Sequence, residues 1–394
     1  MKPVIIIGAG LAGYTVAREF RKLEKTAPLL VVTADQGAFY SKPMLSNAFA
    51  QGKQAEQLVT QSVADMAAQL GASILSGTRA VAIDTAAKTL ETSAGVFEYD
   101  KLVLAVGARP IRLPLNGNAA DDVLSVNHID DYVRLRRRIA EHGGSARVTI
   151  LGAGLIGCEF ADDLASAGHH VTVVDPNELP LSSLAAPALS RSLGNILAKR
   201  GVVFRSGTTA ISVDRSDKAL VVTLADGSWV DTDVVLSAVG LRADLTLAQA
   251  AGLHTSRGIM IDATGRTSAP DVYALGDCAE YTTDDGSRPL PYVAPLMTAA
   301  RAIACTLAGQ PTLIELKAAP VIVKTLSYPL ALLPPPANAA APGVWQESQY
   351  GERLICRYYD GNGTMVGFGV APQDASTRQG LLAELGSVKI SMAA

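Results

Sequence analysis

A twice-repeated α/β architecture ending in a small α+β domain is predicted for this chain of 394 residues. Three observations predict it. Val4-Ile5-Ile6-Ile7 runs into Gly8-Ala9-Gly10-Leu11-Ala12-Gly13, a buried-strand pattern followed by a glycine turn and a helix-like segment. The same device returns 144 residues later, where Val148-Thr149-Ile150-Leu151 runs into Gly152-Ala153-Gly154-Leu155-Ile156-Gly157. Finally, the composition shifts after Pro320 to short strand-like runs and prolines. One G-x-G-x-x-G is weak evidence, because glycines cluster in ordinary turns. Two in matched strand-turn-helix context are much harder to dismiss.

The elements follow in order. Val4 to Ile7 reads as a strand, Leu11 to Leu23 as a helix, and Leu29 to Thr33 and Lys101 to Val106 as further strands, the last ending at Gly107. Pro110 and Pro114 mark a crossing point, after which the pattern restarts: a helix around Asp130 to Glu141, then strands at Arg147 to Leu151 and His170 to Val174. Val202 to Phe204, Ala219 to Leu224 and Val234 to Val239 continue as shorter strands. Such alternation predicts right-handed β-α-β units on parallel sheets. Val272 to Leu275 enters Gly276-Asp277, and a long helix is expected over Pro295 to Leu307. In the tail, Asp360-Gly361-Asn362-Gly363 signals a hairpin between Arg353–Tyr359 and Met365–Val370. Apart from residues 337–341 nothing there has the composition of a linker.

Composition narrows the function. Hydrophobic residues make up 48% and charged residues 18%, the balance of a globular α/β chain. A net charge of −3 supplies no basic field for nucleic acid. No apolar stretch approaches the ~20 residues of a membrane span, so no membrane partner is expected. The first residues enter a strand without a signal-peptide pattern, and a cytoplasmic protein is expected. Cys158, Cys278, Cys305 and Cys356 are scattered with no C-x-x-C, so neither a metal site nor a dithiol is signalled.

Each glycine of the repeated turn has its own task. Gly8 and Gly152 permit the tight turn, Gly10 and Gly154 let a pyrophosphate approach the backbone, and Gly13 and Gly157 allow close helix–strand packing. The helix start offers N–H groups and partial positive charge to phosphates, so Ala9, Leu11, Ala12, Leu155 and Ile156 join the binding set. An acid ending the following strand should grip a ribose. In the second repeat this is Asp175, 23 residues after Gly152. Its carboxylate repels a 2′-phosphate, and no basic residue follows to neutralise one, which favours NADH over NADPH. In the first repeat the equivalent position falls at Thr33-Ala34-Asp35, with the acid displaced by about two residues. Two dinucleotides on one chain suggest electron transfer between them, most simply from a nicotinamide to a flavin.

These motifs, with Leu104-Ala105-Val106-Gly107-Ala108, Ser237-Ala238-Val239-Gly240 and Val272-Tyr273-Ala274-Leu275-Gly276-Asp277, resemble the FAD-dependent pyridine nucleotide oxidoreductases over essentially the whole chain. The resemblance implies a glutathione-reductase-like fold in which a Rossmann-like NAD domain, 110–242, interrupts a Rossmann-like FAD domain, 1–109 and 243–315. A C-terminal domain at 316–394 follows. It implies that the first fingerprint holds FAD, the second NADH, and that Gly276 and Asp277 take the ribityl chain. It further implies FAD contacts at Lys42, Pro43, Ala80, Ala105, Gly107 and Val293, and a role for Gly240 at the cofactor sites. Lys42 and Lys324 would lie near the isoalloxazine, and Glu159 near the nicotinamide. Lys42 and Glu159 are thus the catalytic candidates, although each lysine alone could be a solvated strand residue and Glu159 a dipole-favoured helix acid.

Tyr40-Ser41-Lys42-Pro43-Met44-Leu45-Ser46 discriminates within the family, whose disulfide reductases place a reactive cysteine in this region. This chain has no cysteine before Cys158. A flavin without a thiol neighbour implies a one-electron protein acceptor. A lysine usual after Leu-Ser in ferredoxin reductases is Asn47 here. With Gly154-Leu155-Ile156-Gly157-Cys158-Glu159-Phe160 and Pro320-Val321-Ile322-Val323-Lys324-Thr325, the segment looks most like the bacterial rubredoxin–NAD(+) reductases. The implied partner is rubredoxin, a small acidic carrier feeding alkane hydroxylation or oxygen and nitric oxide defence, and the expected state is a monomer. Ferredoxin, flavorubredoxin or oxygen as acceptor, and a non-turnover NADH sensor, remain as alternatives.

Overall fold

The computed structural model describes residues 1–217, 219–283, 286–336 and 343–388, so the alanine-rich 337–341 lies outside the described residues. Two compact units emerge, one made of Met1–Lys42, Glu56–Arg109 and Leu241–Lys317, the other of Pro43–Ala55, Pro110–Gly240 and Ala318–Ala394.

The first unit is built on a five-stranded parallel sheet in the order Val272–Ala274, Lys101–Leu104, Val4–Ile7, Leu29–Val32, Ser73–Leu75. Its central strands read as unbroken Val, Ile and Leu because both faces are covered, and every residue of Val4–Ile7 and Leu29–Val32 is buried. The helix Leu11–Leu23 lays Tyr14, Val16, Ala17 and Phe20 into the core shared with Ala299, Ala300, Ile303 and Leu307 of the helix Val293–Leu307. That second helix starts two residues before the expected Pro295.

A three-stranded antiparallel meander, Ala80–Asp84, Thr89–Thr92 and Gly95–Glu98, also belongs to this unit. It escaped sequence reading because its strands are short and largely exposed, with only Ile83, Leu90 and Thr92 buried.

The second unit holds a four-stranded parallel sheet in the order Val203–Ser206, His170–Asp175, Arg147–Leu151, Val234–Ser237. The strand expected at 219–224 does not continue it. Leu220–Leu224 is instead the middle of an antiparallel meander with Ala210–Arg215 and Trp229–Thr232. Its Leu220, Val222 and Leu224 alternate inward, and Asp226-Gly227 turns the hairpin, with Gly227 at φ +85°. Those period-two and turn signals were both in the sequence.

The C-terminal residues form an antiparallel sheet ordered Val321–Val323, Leu330–Leu333, Met365–Ala371, Arg353–Tyr359, Val344–Tyr350. The expected hairpin closes at Asp360, whose carboxylate accepts from the N–H groups of Asn362 (3.0 Å) and Thr364 (2.9 Å). Phe368, Val370, Ala331 and Leu381 of the helix Ala375–Glu384 make its core. The opposite face meets the helix Pro187–Lys199, which the sequence reading passed over. A Cβ on Gly369 would lie 2.4 Å from a Leu189 methyl, so a side chain there would force Leu189 to shift.

Candidate active site

In the first unit the strand Val4–Ile7 ends at Gly8, whose φ of +113° and position leave no room for a side chain: a Cβ there would sit 2.3 Å from the Ala105 carbonyl oxygen. A Cβ on Gly13 would come 1.8 Å from the Gly8 carbonyl, so this glycine fixes how tightly helix and strand pack. Gly10 differs. It has φ −76° and nothing within 4 Å of its Cβ position, so its missing side chain leaves open space before the first turn of Leu11–Leu23. That first turn has no acidic residue and no side-chain cap, and buried Ala9 lies in the glycine loop that leads into it.

Gly276 (φ +77°) approaches the same turn, since a Cβ there would meet the Ala12 methyl at 2.9 Å. Topology thus brings Gly276-Asp277 to the first fingerprint from more than 260 residues away. Burial raises the pKa of Asp277, and the nearby Lys42 ammonium opposes that rise. Val293 opens its helix and is exposed, Gly107 accepts from Asp244 N–H (3.1 Å), and Ala80 heads its meander strand. Thr33 is buried, Ala34 exposed, and Asp35 turns inward on its own loop, its Oδ1 accepting from the Thr33 hydroxyl and the Gly37 N–H at 2.8 Å each. The displaced acid has a structural task there. Burial of Tyr14, with the Asp35 charge adding to it, pushes the Tyr14 hydroxyl up to about 12.

The second unit repeats the glycine geometry. A Cβ on Gly152 (φ +104°) would be 2.8 Å from the Ala238 carbonyl, and one on Gly157 would be 1.9 Å from that of Gly152. Gly154, like Gly10, faces nothing within 4 Å. The helix Leu155–Ser166 starts without a side-chain cap, with Leu155 partly and Ile156 well exposed. Asp175 reaches this loop directly: Oδ2 accepts from Ala153 N–H at 2.6 Å, and Oδ1 from both nitrogens of Asn177 at 2.8 and 2.9 Å. Gly240, at φ +107°, accepts from Ile111 N–H (3.1 Å).

Glu159 is fully buried on that helix, and its partners were not legible from spacing. Its Oε1 accepts from both the backbone N–H and the ammonium of Lys324 at 2.8 Å each, while Oε2 takes the ammonium at 2.9 Å and the Ser46 hydroxyl at 2.5 Å. Lys324 is 30% exposed, so the pair joins a buried carboxylate to a cation with one face on solvent. Asn47, beside Ser46, donates to the Lys324 carbonyl (2.8 Å), and its own Oδ1 is buried without a partner. Pro43 lies in the short 3₁₀ turn Lys42–Asn47 that delivers these residues.

All four cysteines are free. Burial pushes the thiols of Cys278 up to about 11 and Cys356 up to about 12, and raises Cys158 further still. A protein in which all four are replaced by alanine should retain most of its turnover per bound flavin. Loss of turnover with flavin content and melting temperature unchanged would expose a thiol relay.

Two open glycine turns on separate parallel sheets, with Cys158, Cys278 and Cys356 buried and their thiols raised, fit a two-dinucleotide oxidoreductase. The pyridine nucleotide-disulphide oxidoreductase model matches residues 2–304, and the chain belongs to that family. A rubredoxin binding C-terminal domain model matches residues 313–385. The chain is 41% identical to the rubredoxin-NAD(+) reductase of Alcanivorax borkumensis, covering 98% of this chain and 100% of the relative. It is also 41% identical to that of Acinetobacter baylyi, covering 93% of each. Among solved structures, the covalent putidaredoxin reductase–putidaredoxin complex superposes with a TM-score of 0.87 at 26% identity, covering 98% of this chain and 94% of that one. Among the described residues no helix is long and apolar enough to cross a membrane.

Proposed function

We propose that this chain is a flavoprotein reductase that takes electrons from NADH into FAD and hands them singly to rubredoxin. The observation that carries the reading is the pair of open glycine turns at Gly10 and Gly154, one for each dinucleotide, on a chain whose C-terminal residues match a rubredoxin-binding domain. When bound, FAD supplies the change from a two-electron donor to a one-electron acceptor. The protein's part is to hold and orient.

Gly8 to Gly13, Gly276 and Asp277 cradle FAD, with Thr33, Ala34 and Asp35 at the adenosine end and Ala80, Ala105, Gly107 and Val293 along its length. Lys42, close enough to Asp277 to oppose its pKa rise, supplies positive charge on the flavin side. Gly152 to Gly157 and Gly240 cradle NADH, and Asp175 selects it. Glu159 aligns the nicotinamide and also holds the Lys324 ammonium. Positioning of this kind is worth ~7–11 kcal/mol in favourable cases. We assign residues 1–109 and 243–315 to FAD, 110–242 to NADH and 316–394 to the carrier, and place the protein in the cytoplasm, where NADH and unpaired cysteines are at home.

Purified protein given NADH with rubredoxin, ferredoxin or oxygen side by side tests the reading. Rubredoxin should be reduced fastest. Preference for ferredoxin or oxygen would overturn the acceptor, and no turnover with any of them would leave an NADH-sensing flavoprotein.

Lys324 is tied to buried Glu159, so its charge is largely neutralised at its own site, and attraction for an acidic carrier has to come from other basic side chains. Exposed charges are screened beyond ~10 Å at 0.1 M salt. The kcat/KM for rubredoxin should therefore fall as salt rises, while flavin reduction by NADH changes little. A rubredoxin rate indifferent to ionic strength would point to apolar docking.

A further inference from the structure

The helix Leu155–Ser166 carries three buried carboxylates on one face: Glu159, Asp162 and Asp163 are 0, 1 and 1% exposed. Their i, i+3, i+4 spacing stacks them side by side. Buried acids are rare and cost stability unless saturated with donors. Here the donors come from two irregular segments. Asp163 accepts from the backbone N–H groups of Phe49 (2.8 Å) and Ala50 (2.9 Å), and the Ala48 N–H is close enough to favour its charged form. Asp162 accepts from Ser327 N–H (3.0 Å) and its hydroxyl (2.6 Å). Glu159 takes Ser46 and Lys324 as described above. The two segments, 46–50 and 324–327, are thereby mounted on the helix that starts at the second glycine turn.

We infer that Asp163 is a positioning residue for electron transfer: it fixes the turn at Ala48–Ala50, which sets the Ser46 hydroxyl against Glu159 and so aims that carboxylate. The inference rests on the proposed role of Glu159 beside the nicotinamide. Burial favours the neutral form of Asp163 and lifts its pKa to about 6 against the backbone N–H groups of Ala50, Phe49 and Ala48 that lower it. A carboxylate kept at such cost is spent on geometry, because apolar residues of similar volume would hold a helix to a turn at least as firmly. Ser46, three residues before Phe49, is the step that links the mount to the reacting region. Its hydroxyl donates to the one Glu159 oxygen that Lys324 N–H does not take.

The test measures the limiting rate of flavin reduction by NADH, per bound flavin, in the wild-type holoenzyme and in Asp163→Asn, Ser46→Ala and the double variant. Asparagine would turn one acceptor into a donor facing N–H groups. Misaligning reacting groups by ~1 Å can cost about 100-fold, so a fall of tenfold or more is expected for Asp163→Asn, with the apparent Kd for NADH changed much less. Ser46→Ala should fall less, and the double variant should be no slower than Asp163→Asn, because both act through one path. Rates at the wild-type value with only a lower melting temperature would reduce Asp163 to a fold-stabilising residue and overturn the inference. Additive losses in the double variant would overturn the shared path. If Asp163→Asn does not fold, Ser46→Ala decides alone, and an unchanged limiting rate overturns the proposal. A wild-type flavin that NADH fails to reduce would instead sink the functional reading itself.

Discussion

Gly10→Val should yield a folded but colourless protein, without FAD and without turnover. The backbone at Gly10 has φ −76°, open to any residue, and a Cβ there meets nothing within 4 Å. The fold therefore gives no reason for glycine, and the valine occupies only the space before the uncapped first turn of Leu11–Leu23. Gly13→Ala provides the contrast. Its Cβ would lie 1.8 Å from the Gly8 carbonyl, a clash with backbone that cannot be relieved by a rotamer change. That variant should lose several kcal/mol and fail to accumulate as a native protein, in the range of about 4–5 kcal/mol or more that marks severe substitutions. Gly154→Val, at the matching open position, should stay yellow but lose reduction by NADH. Flavin content after denaturation, thermal melting and stopped-flow reduction separate the three. The released flavin should be FAD; FMN alone, or a yellow Gly10→Val protein, would contradict the assignment of the first turn.

That contrast also shows why the cofactor turns could be read from sequence while the charge pair could not. A strand buried on both faces must be a run of β-branched residues, and a glycine turn must place its glycines at fixed intervals, so Val4 to Gly13 and Val148 to Gly157 announce themselves locally. Glu159, Ser46 and Lys324 meet only because the topology brings together residues 113 and 165 positions apart. Nothing local at any of them marks the meeting. Asp35 shows a third situation: an acid near the expected position is locally readable, yet its Oδ1 is taken up by its own turn through Thr33 and Gly37. The first antiparallel meander was not expected, and of the second only the middle strand, Leu220–Leu224, was, in the wrong sheet. Their strands are four to six residues long and mostly half-exposed, so the tertiary setting, not propensity, decides them.

Asp175→Ala, made together with an arginine at Asn177, should narrow the preference for NADH over NADPH and lower kcat/KM for NADH sharply. Two effects act at once. The carboxylate is the group that would repel a 2′-phosphate, and removing it while adding a guanidinium reverses the local charge. The same carboxylate also accepts from Ala153 N–H at 2.6 Å and from Asn177, so it holds the glycine loop in shape. Losing a charge-assisted bond of this kind costs about 1.5–3 kcal/mol, or roughly 10- to 150-fold in an affinity that depends on loop shape. Asp175→Asn separates the two terms. Its amide oxygen can still accept from Ala153, so that bond to the glycine loop is kept while the negative charge and the two Asn177 contacts are lost. NADH binding should then fall less than in Asp175→Ala, yet discrimination against NADPH should weaken in both. Steady-state kcat/KM for the two nucleotides, with flavin content as control, gives the answer. A wild-type protein that uses NADPH as efficiently as NADH would remove Asp175 from the selecting role and leave it only the loop it holds.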